Sequence, residues 1–294
     1  MGYNEKNNKK NTLISIAVTT CLLAIIVILI ILLIRKQPEP PAPQPSASAT
    51  QQPGTSTPEI TPTPETTPAG SSATPAPPTP AEYDYSRPVP ERAPVDLEYF
   101  NDAVFIGDSR MEDFASFSGI AKYATFYTHI GMTVNHLITD DPGKIIRFKV
   151  GGENLTLEET LRKQNDFSKV YIMLGYNELG WPYPSEFIKY YVKVLDLIKA
   201  ANPDVKIYVE CVIPVARTIT GYGVDPTIEN NQNIAVFNQH IREMCEAQKV
   251  YYVNVQEALV DEEGYLPDGA ASDGIHMRKE YCIKWLEYIR SHTV

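Results

Sequence analysis

Cysteine is scarce in this chain, with four among 294 residues, at positions 21, 211, 245 and 282. Cys21 falls in an apolar N-terminal run, so three are left for the rest, an odd number that excludes a complete disulfide framework there and favours buried free thiols. Basic residues are scarce where the chain reads as globular: from Val95 onward 19 Lys and Arg stand against 29 Asp and Glu. That balance argues against nucleic acid or an anionic membrane surface as the main partner of this part. No internal repeat is found beyond a loose Thr-Pro recurrence before residue 95. Histidines number five. His129 and His136 stand seven apart without cysteine or acid at ligand spacing, so they read as structural or surface residues rather than metal ligands.

What is abundant is proline, and it is unevenly spread: 17 of the 24 lie between Pro38 and Pro94. Ahead of them, Leu13 to Ile34, "LISIAVTTCLLAIIVILIILLI", runs 22 residues without a charge, roughly enough to cross a bilayer core of about 30 Å. A cleaved secretory signal has a shorter apolar region and a small-x-small cleavage site, neither of which is seen. A lipid-modified Cys21 fits poorly, because "VTTC" lies mid-run. The expectation is an uncleaved, single-pass anchor in the cell membrane. Lys6, Lys9 and Lys10 before the span against Arg35 and Lys36 after it favour an N-terminus inside and the remainder outside. The segment after the span is rich in Pro, Thr, Ser and Ala, a composition that cannot bury a core and behaves as an extended spacer. At about 3.1 Å per residue as an upper limit, such a spacer reaches on the order of 180 Å. It suits a domain held away from a membrane, for example through a cell wall; a generic tether is the plainer alternative. The expected organisation is a short cytoplasmic tail (1–12), a transmembrane anchor (13–34), a disordered linker (35–94) and a globular domain (95–294).

Within the globular part, strand-length apolar runs occur at Ala103 to Ile106, Ala124 to Ile130, Val170 to Leu174, Val205 to Ile213 and Val250 to Val253. Helical spacing lies between them, most clearly over Ser185 to Ala201 and Asn231 to Gln248, and again at the end from about Met277 to Ser291. "TLEE", Thr156 to Glu159, has capping-box spacing. Five strands interleaved with helices predict an α/β domain whose parallel sheet is covered on both faces. Ligands of such sheets bind outside the carboxyl ends of the strands.

Four short stretches fall at those ends: "GDSR" after the first strand, "THIGM" after the second, "LGYNELGW" after the third, and "SDGIHM" before the last helix. Each has a plain reading as a turn or a helix cap. Together they supply the parts of acyl transfer. A serine hydroxyl needs a base to take its proton and a third group to orient that base. Asp273 and His276, three apart on one loop, can be that pair for Ser109. Asn177 carries a side-chain amide, and Gly131 can bring a backbone N–H close to a ligand, both suited to a developing oxyanion.

A Gly-Asp-Ser, a glycine, a Gly-x-Asn and an Asp-x-x-His in this order resemble the four blocks of the SGNH hydrolases, the GDSL-type esterases and lipases. The resemblance covers Val95 to Val294. It implies a flavodoxin-like three-layer α/β/α sandwich with a five-stranded parallel sheet, preceded here by the transmembrane helix and the disordered linker. It implies Ser109 as nucleophile, His276 as general base and Asp273 as its orienter. The backbone N–H groups of Ser109 and Gly131 and the Asn177 amide would form the oxyanion hole, with no metal or organic cofactor. Arg110 and Glu178 depart from the leucine and aspartate common in the family, and both bear on substrate rather than on chemistry. Arg110, Tyr176, Trp181 and Arg217 are candidate substrate contacts. Tyr183 is a further aromatic beside Asn177, and an acidic sugar is one group Arg217 could meet. The display outside a membrane points to O-acetyl groups on cell-wall or extracellular polysaccharide. An O-acetyltransferase, a lipid or thioester acyl hydrolase, and a non-catalytic wall-binding module stay as alternatives, with the membrane a partner through the N-terminal helix only.

Overall fold

The computed structural model describes residues 83–294 with the exception of 222. The expected membrane span, 13–34, and the linker as far as residue 82 lie outside the described residues. Among the described residues no helix is long and apolar enough to cross a membrane.

Among the described residues, seven strands and five α-helices follow one another: β1 (Ala103–Gly107), α1 (Ser109–Phe117), β2 (Thr125–Thr128), β3 (Phe148–Val150), β4 (Glu153–Leu155), α2 (Leu157–Lys163), β5 (Lys169–Met173), α3 (Pro184–Ala201), β6 (Lys206–Glu210), α4 (Asn231–Gln248), β7 (Tyr251–Val253) and α5 (Lys279–Ser291). Five strands form one sheet in the order β2-β1-β5-β6-β7, every neighbour parallel. Counted along the chain this is the 2-1-3-4-5 order of a doubly wound fold, whose direction of winding reverses between β1 and β5. The expected parallel sheet is present. Its second and fourth strands are shorter than the apolar runs that announced them; beyond Glu210 the Cys211 N–H still donates to the Val253 carbonyl at 3.0 Å, but the Val212 N–H turns to the Asn238 side chain at 2.7 Å and residues 211–213 stay buried without continuing the strand. The hairpin of β3 and β4, joined through Gly151 and Gly152, was not anticipated.

The two faces of the sheet have different chemistry. In register across it, Phe126, Phe105, Tyr171, Tyr208 and Tyr251 stack ring on ring at 4.8, 4.7, 4.5 and 5.0 Å. Strand alternation places them all on one side, where Phe114 of α1 meets Phe105 at 5.6 Å and Trp285 of α5 at 4.4 Å. The intervening residues, Val104, Ile106, Val170, Ile172, Ile207 and Val209, form an aliphatic opposite face and are buried. Helix α3 turns Tyr191, Val194, Leu195 and Ile198 inward and packs with α2 and α4, completing the third layer. Thr156 begins α2 with the predicted capping box: its hydroxyl accepts from the Glu159 N–H, and the Glu159 carboxylate accepts from its own. Cys211, Cys245 and Cys282 are free and buried.

The end of the presumed linker behaves otherwise than its composition suggests. Tyr83 and Tyr85 pack against Tyr251, Val89 is buried and donates to the Tyr252 carbonyl at 2.9 Å, and Arg92 donates to the Ser291 carbonyl at 2.8 Å. Residues 83–94 therefore lie against the domain, and the packed part begins before Val95. Two tyrosines and a valine supply the apolar area that the proline-rich stretch before them lacks.

Candidate active site

Ser109 is placed by a turn that tolerates almost no alternative. A Cβ on Gly107 would stand 2.5 Å from the Met111 Cβ and 2.9 Å from the Met173 carbonyl, so only glycine lets β1 run straight into α1. Asp108 caps the helix by accepting from the Arg110 N–H at 3.0 Å. Ser109 is then the first helical residue, its N–H among those a helix leaves without an internal partner. The turn lies beside the β1–β5 reversal point, where a doubly wound sheet opens a crevice.

The loop before α5 brings His276 to this serine. His276 Nε2 lies 2.9 Å from the Ser109 Oγ, and His276 Nδ1 lies 2.8 Å from Asp273 Oδ2. The other Asp273 oxygen accepts the Ile275 and His276 N–H groups at 2.9 and 2.8 Å. Burial alone would raise the Asp273 pKa, but these hydrogen bonds and the facing imidazole hold it below the usual carboxylate range. The tight loop depends on Gly274, whose φ is +92° and whose missing Cβ would fall 2.4 Å from the Thr218 carbonyl.

Asn177 follows β5 on the facing side of the crevice. It is exposed, and its amide nitrogen donates to Asp108 Oδ2 at 3.0 Å and to the Met132 carbonyl at 3.1 Å. Gly131 sits in an exposed turn closed by Met132 N–H to His129 O at 3.1 Å, with φ of +70°. The preceding Ile130 is 71% exposed. His129 Nδ1 bonds to the Ile130 carbonyl and His136 Nδ1 accepts from the Thr133 N–H. Among the described residues no group of three or more His, Cys, Asp or Glu is placed to hold a metal ion.

Four expected substrate contacts fare differently. Arg110 is fully buried: its guanidinium donates to the Ile213 and Pro214 carbonyls at 2.6 and 3.4 Å and lies 5.3 Å from the Tyr176 ring centre. It braces the chain leaving β6 and does not face substrate, which corrects the expectation. Its burial lowers its pKa, with the Asp108 charge pulling back. Tyr176 is half-buried beneath that guanidinium, its hydroxyl enclosed without a hydrogen-bond partner. Trp181 is half-buried and packs edge-on against Tyr190 at 5.8 Å. Arg217 lines a cavity of about 540 Å³ with Gly221, Val224 and Glu229. It is held by Asp261 and Glu263 at 2.7 and 2.8 Å over the Tyr265 ring, so its charge is already compensated.

Glu178 was read as a substitution bearing on substrate, yet it points inward. One oxygen accepts the Val134 N–H at 2.7 Å and the other is buried without a partner. Burial first, then the Asp108 charge, pushes its pKa up to about 8, against the pull of the Val134 bond. Asp108 is likewise fully enclosed, and burial raises its pKa against the pull of Arg110.

A serine joined through an imidazole to a carboxylate, at the carboxyl edge of a doubly wound parallel sheet, is the arrangement of an α/β serine hydrolase. The chain belongs to the GDSL-like Lipase/Acylhydrolase family, whose model matches residues 105–280, and it is an enzyme that hydrolyses carboxylic esters. Curated proteins provide no match. Similar solved structures include a GDSL-like lipase from Bacteroides thetaiotaomicron, 18% identical over 68% of this chain and 87% of its own, with a TM-score of 0.46. Others are a carbohydrate esterase family 3 protein from Talaromyces cellulolyticus (17%, 64% and 94%, 0.42) and a carbohydrate acetylesterase from Sinorhizobium meliloti (16%, 64% and 96%, 0.41).

Proposed function

We propose that Ser109 is the nucleophile of an esterase that removes O-acetyl groups from cell-wall or extracellular polysaccharide, anchored by residues 13–34 with its catalytic domain outside the membrane. The observation that carries the chemistry is the line of two short hydrogen bonds, Ser109 Oγ to His276 Nε2 at 2.9 Å and His276 Nδ1 to Asp273 Oδ2 at 2.8 Å. Ser109 Oγ attacks the ester carbonyl carbon while its proton passes to His276 Nε2. The carbonyl oxygen, now negative, faces the N–H groups of Ser109 and Gly131 and the Asn177 amide. Asn177 shares or exchanges one of its bonds to Asp108 and Met132 at this step. The intermediate breaks its bond to the sugar oxygen, which takes the proton from His276. Water then gives a proton to His276 and its oxygen to the acyl carbon, the acyl-enzyme bond breaks, acetate leaves, and the proton returns to Ser109 Oγ.

The substrate class is supported by the sequence before the domain, an uncharged run of spanning length followed by a long spacer. It is supported further by aromatic surface beside Asn177, where Tyr183 is 65% exposed. The test is acetate release by the full-length chain from acetylated peptidoglycan, acetylated xylan and small acetyl esters, with longer acyl esters alongside and Ser109→Ala as control. Serine-dependent acetate release from a polysaccharide is expected. Release confined to long acyl chains would overturn the substrate class, and no serine-dependent release from any ester would overturn the nucleophile.

A further inference from the structure

Asp113 stands one helical turn after Ser109 on α1, on the same face, and helical side chains lean back toward the N-terminus. Its carboxylate is therefore carried toward the serine end of the helix. One of its oxygens is buried without a hydrogen-bond partner. The loop that bears His276 closes on itself through Ser272 N–H to His276 O and Arg278 N–H to Ala270 O, both 2.9 Å. Met277 stands between those two bonds, and its backbone N–H pulls the Asp113 carboxyl toward its charged form. The charged and titratable groups around Asp113 are His276 first, then Arg110 on its own helix, Asp273 on the loop and the Cys282 thiol on α5.

We infer that Asp113 is a second acidic positioning residue of this site, which holds the His276 loop from the helix side and favours the imidazolium that forms when Ser109 gives up its proton. A half-buried carboxylate with an unpartnered oxygen is a cost to the fold. The group beside it whose charge changes during turnover is His276, and a negative charge nearby stabilises the charged ring in a site of low dielectric. Burial raises the Asp113 pKa to about 6, with His276 and Arg110 pulling it down and Asp273 pushing it up. Its charge, and its support of the imidazolium, is thus present above pH 6 and lost below. Asp273 acts differently, through a direct bond to Nδ1. The inference rests on the assignment of Ser109 and His276 as nucleophile and base.

The experiment follows two readouts against pH on the full-length chain: hydrolysis of p-nitrophenyl acetate, and inactivation by a serine-reactive fluorophosphonate. The acid side of the wild-type profile is expected to fall with two protonations, one of them at Asp113. Asp113→Asn should lower kcat on the order of tenfold at neutral pH with KM unchanged, remove one of those protonations, and be partly rescued by Asp113→Glu. A purely structural role would change thermal stability and leave the shape of the profile alone. An Asp113→Asn profile superimposable on wild type would overturn the inference. So would a wild-type acid limb with a single protonation, an outcome that needs no variant to fold. Failure of the wild type both to hydrolyse and to be labelled would sink the nucleophile assignment, and Asp113 with it.

Discussion

Halfway along the strands, five rings stack in register from Phe126 to Tyr251; within the stack the Tyr208 hydroxyl donates to the Val294 carbonyl at 2.8 Å and the Tyr171 hydroxyl is buried without a partner. Two residues further on, the same strands end in a rim that encloses Asp108, Arg110 and Glu178 and leaves polar atoms of Arg110, Asp113, Tyr176 and Glu178 buried without hydrogen bonds. The first region is built for stability, because stacked rings in register gain both area burial and ring–ring attraction. The second gathers in one place a cost that the ladder carries only at the Tyr171 hydroxyl, since each enclosed polar atom without a partner loses its hydration. Those costs lie beside Ser109 and His276, where, in the proposed mechanism, fixed charges act on a proton in transit. The ladder holds the strand ends still, and the rim uses that rigidity.

If the rim serves chemistry and the ladder serves stability, substitutions should separate along the same line. Asp273→Asn keeps the loop's shape and removes the charge that orients His276. It should lower kcat on the order of 10⁴-fold with KM little changed and thermal unfolding within a few degrees of wild type. Steady-state kinetics on a chromogenic acetyl ester, with a melting curve on the same sample, checks both halves. Near-normal turnover would break the comparison at its strongest point. The next largest effect belongs to the ladder. Tyr171→Ala empties the middle rung, a fully buried ring stacked on both sides, and should cost about 3–5 kcal/mol in denaturant unfolding. Activity per folded molecule should stay within a few-fold, because the ring lies below the crevice.

How much of this was legible in the chain differs between the same two regions. The five strands of the parallel sheet could be read because buried parallel strands are short apolar runs set off by turns, and the four site blocks because their order matches the order of strand ends. The hairpin of β3 and β4 escaped, although Gly151-Gly152 between short alternating segments is a known signal for a tight turn. Arg110 and Glu178 were misjudged for a deeper reason. A charge beside a catalytic block looks as if it faces substrate, and the groups that draw it inward are far away in sequence: Ile213, 103 residues on for Arg110, and Val134, 44 residues back for Glu178. Asp113 was overlooked although helical spacing from Ser109 marks its face. What spacing does not reveal is that His276 and Asp273, over 150 residues away in sequence, would come near enough to act on its carboxyl.

The last of the expected effects probes the rim's cost directly. Glu178 has its pKa raised from 4.5 to about 8 by burial, so the native state keeps a proton that the unfolded chain gives up. Between those two values the native state binds more protons than the unfolded one, and stability falls as pH rises, by up to about 1.4 kcal/mol per pH unit for one such group. Glu210, enclosed beneath Trp285 and also raised to about 8, adds a slope of the same sign. Glu178→Gln keeps an acceptor for the Val134 N–H and removes the ionisation. Its stability relative to wild type, followed by denaturant unfolding, should therefore be level below pH 4, climb between about 4.5 and 8, and level again above. Glu210→Gln should behave alike, which makes the two variants a control for each other. A relative stability for Glu178→Gln that stays flat across that window would mean that the carboxyl is charged in the native state. The rim would then hold Asp108 and Glu178 as two neighbouring anions, with Arg110 left to balance both.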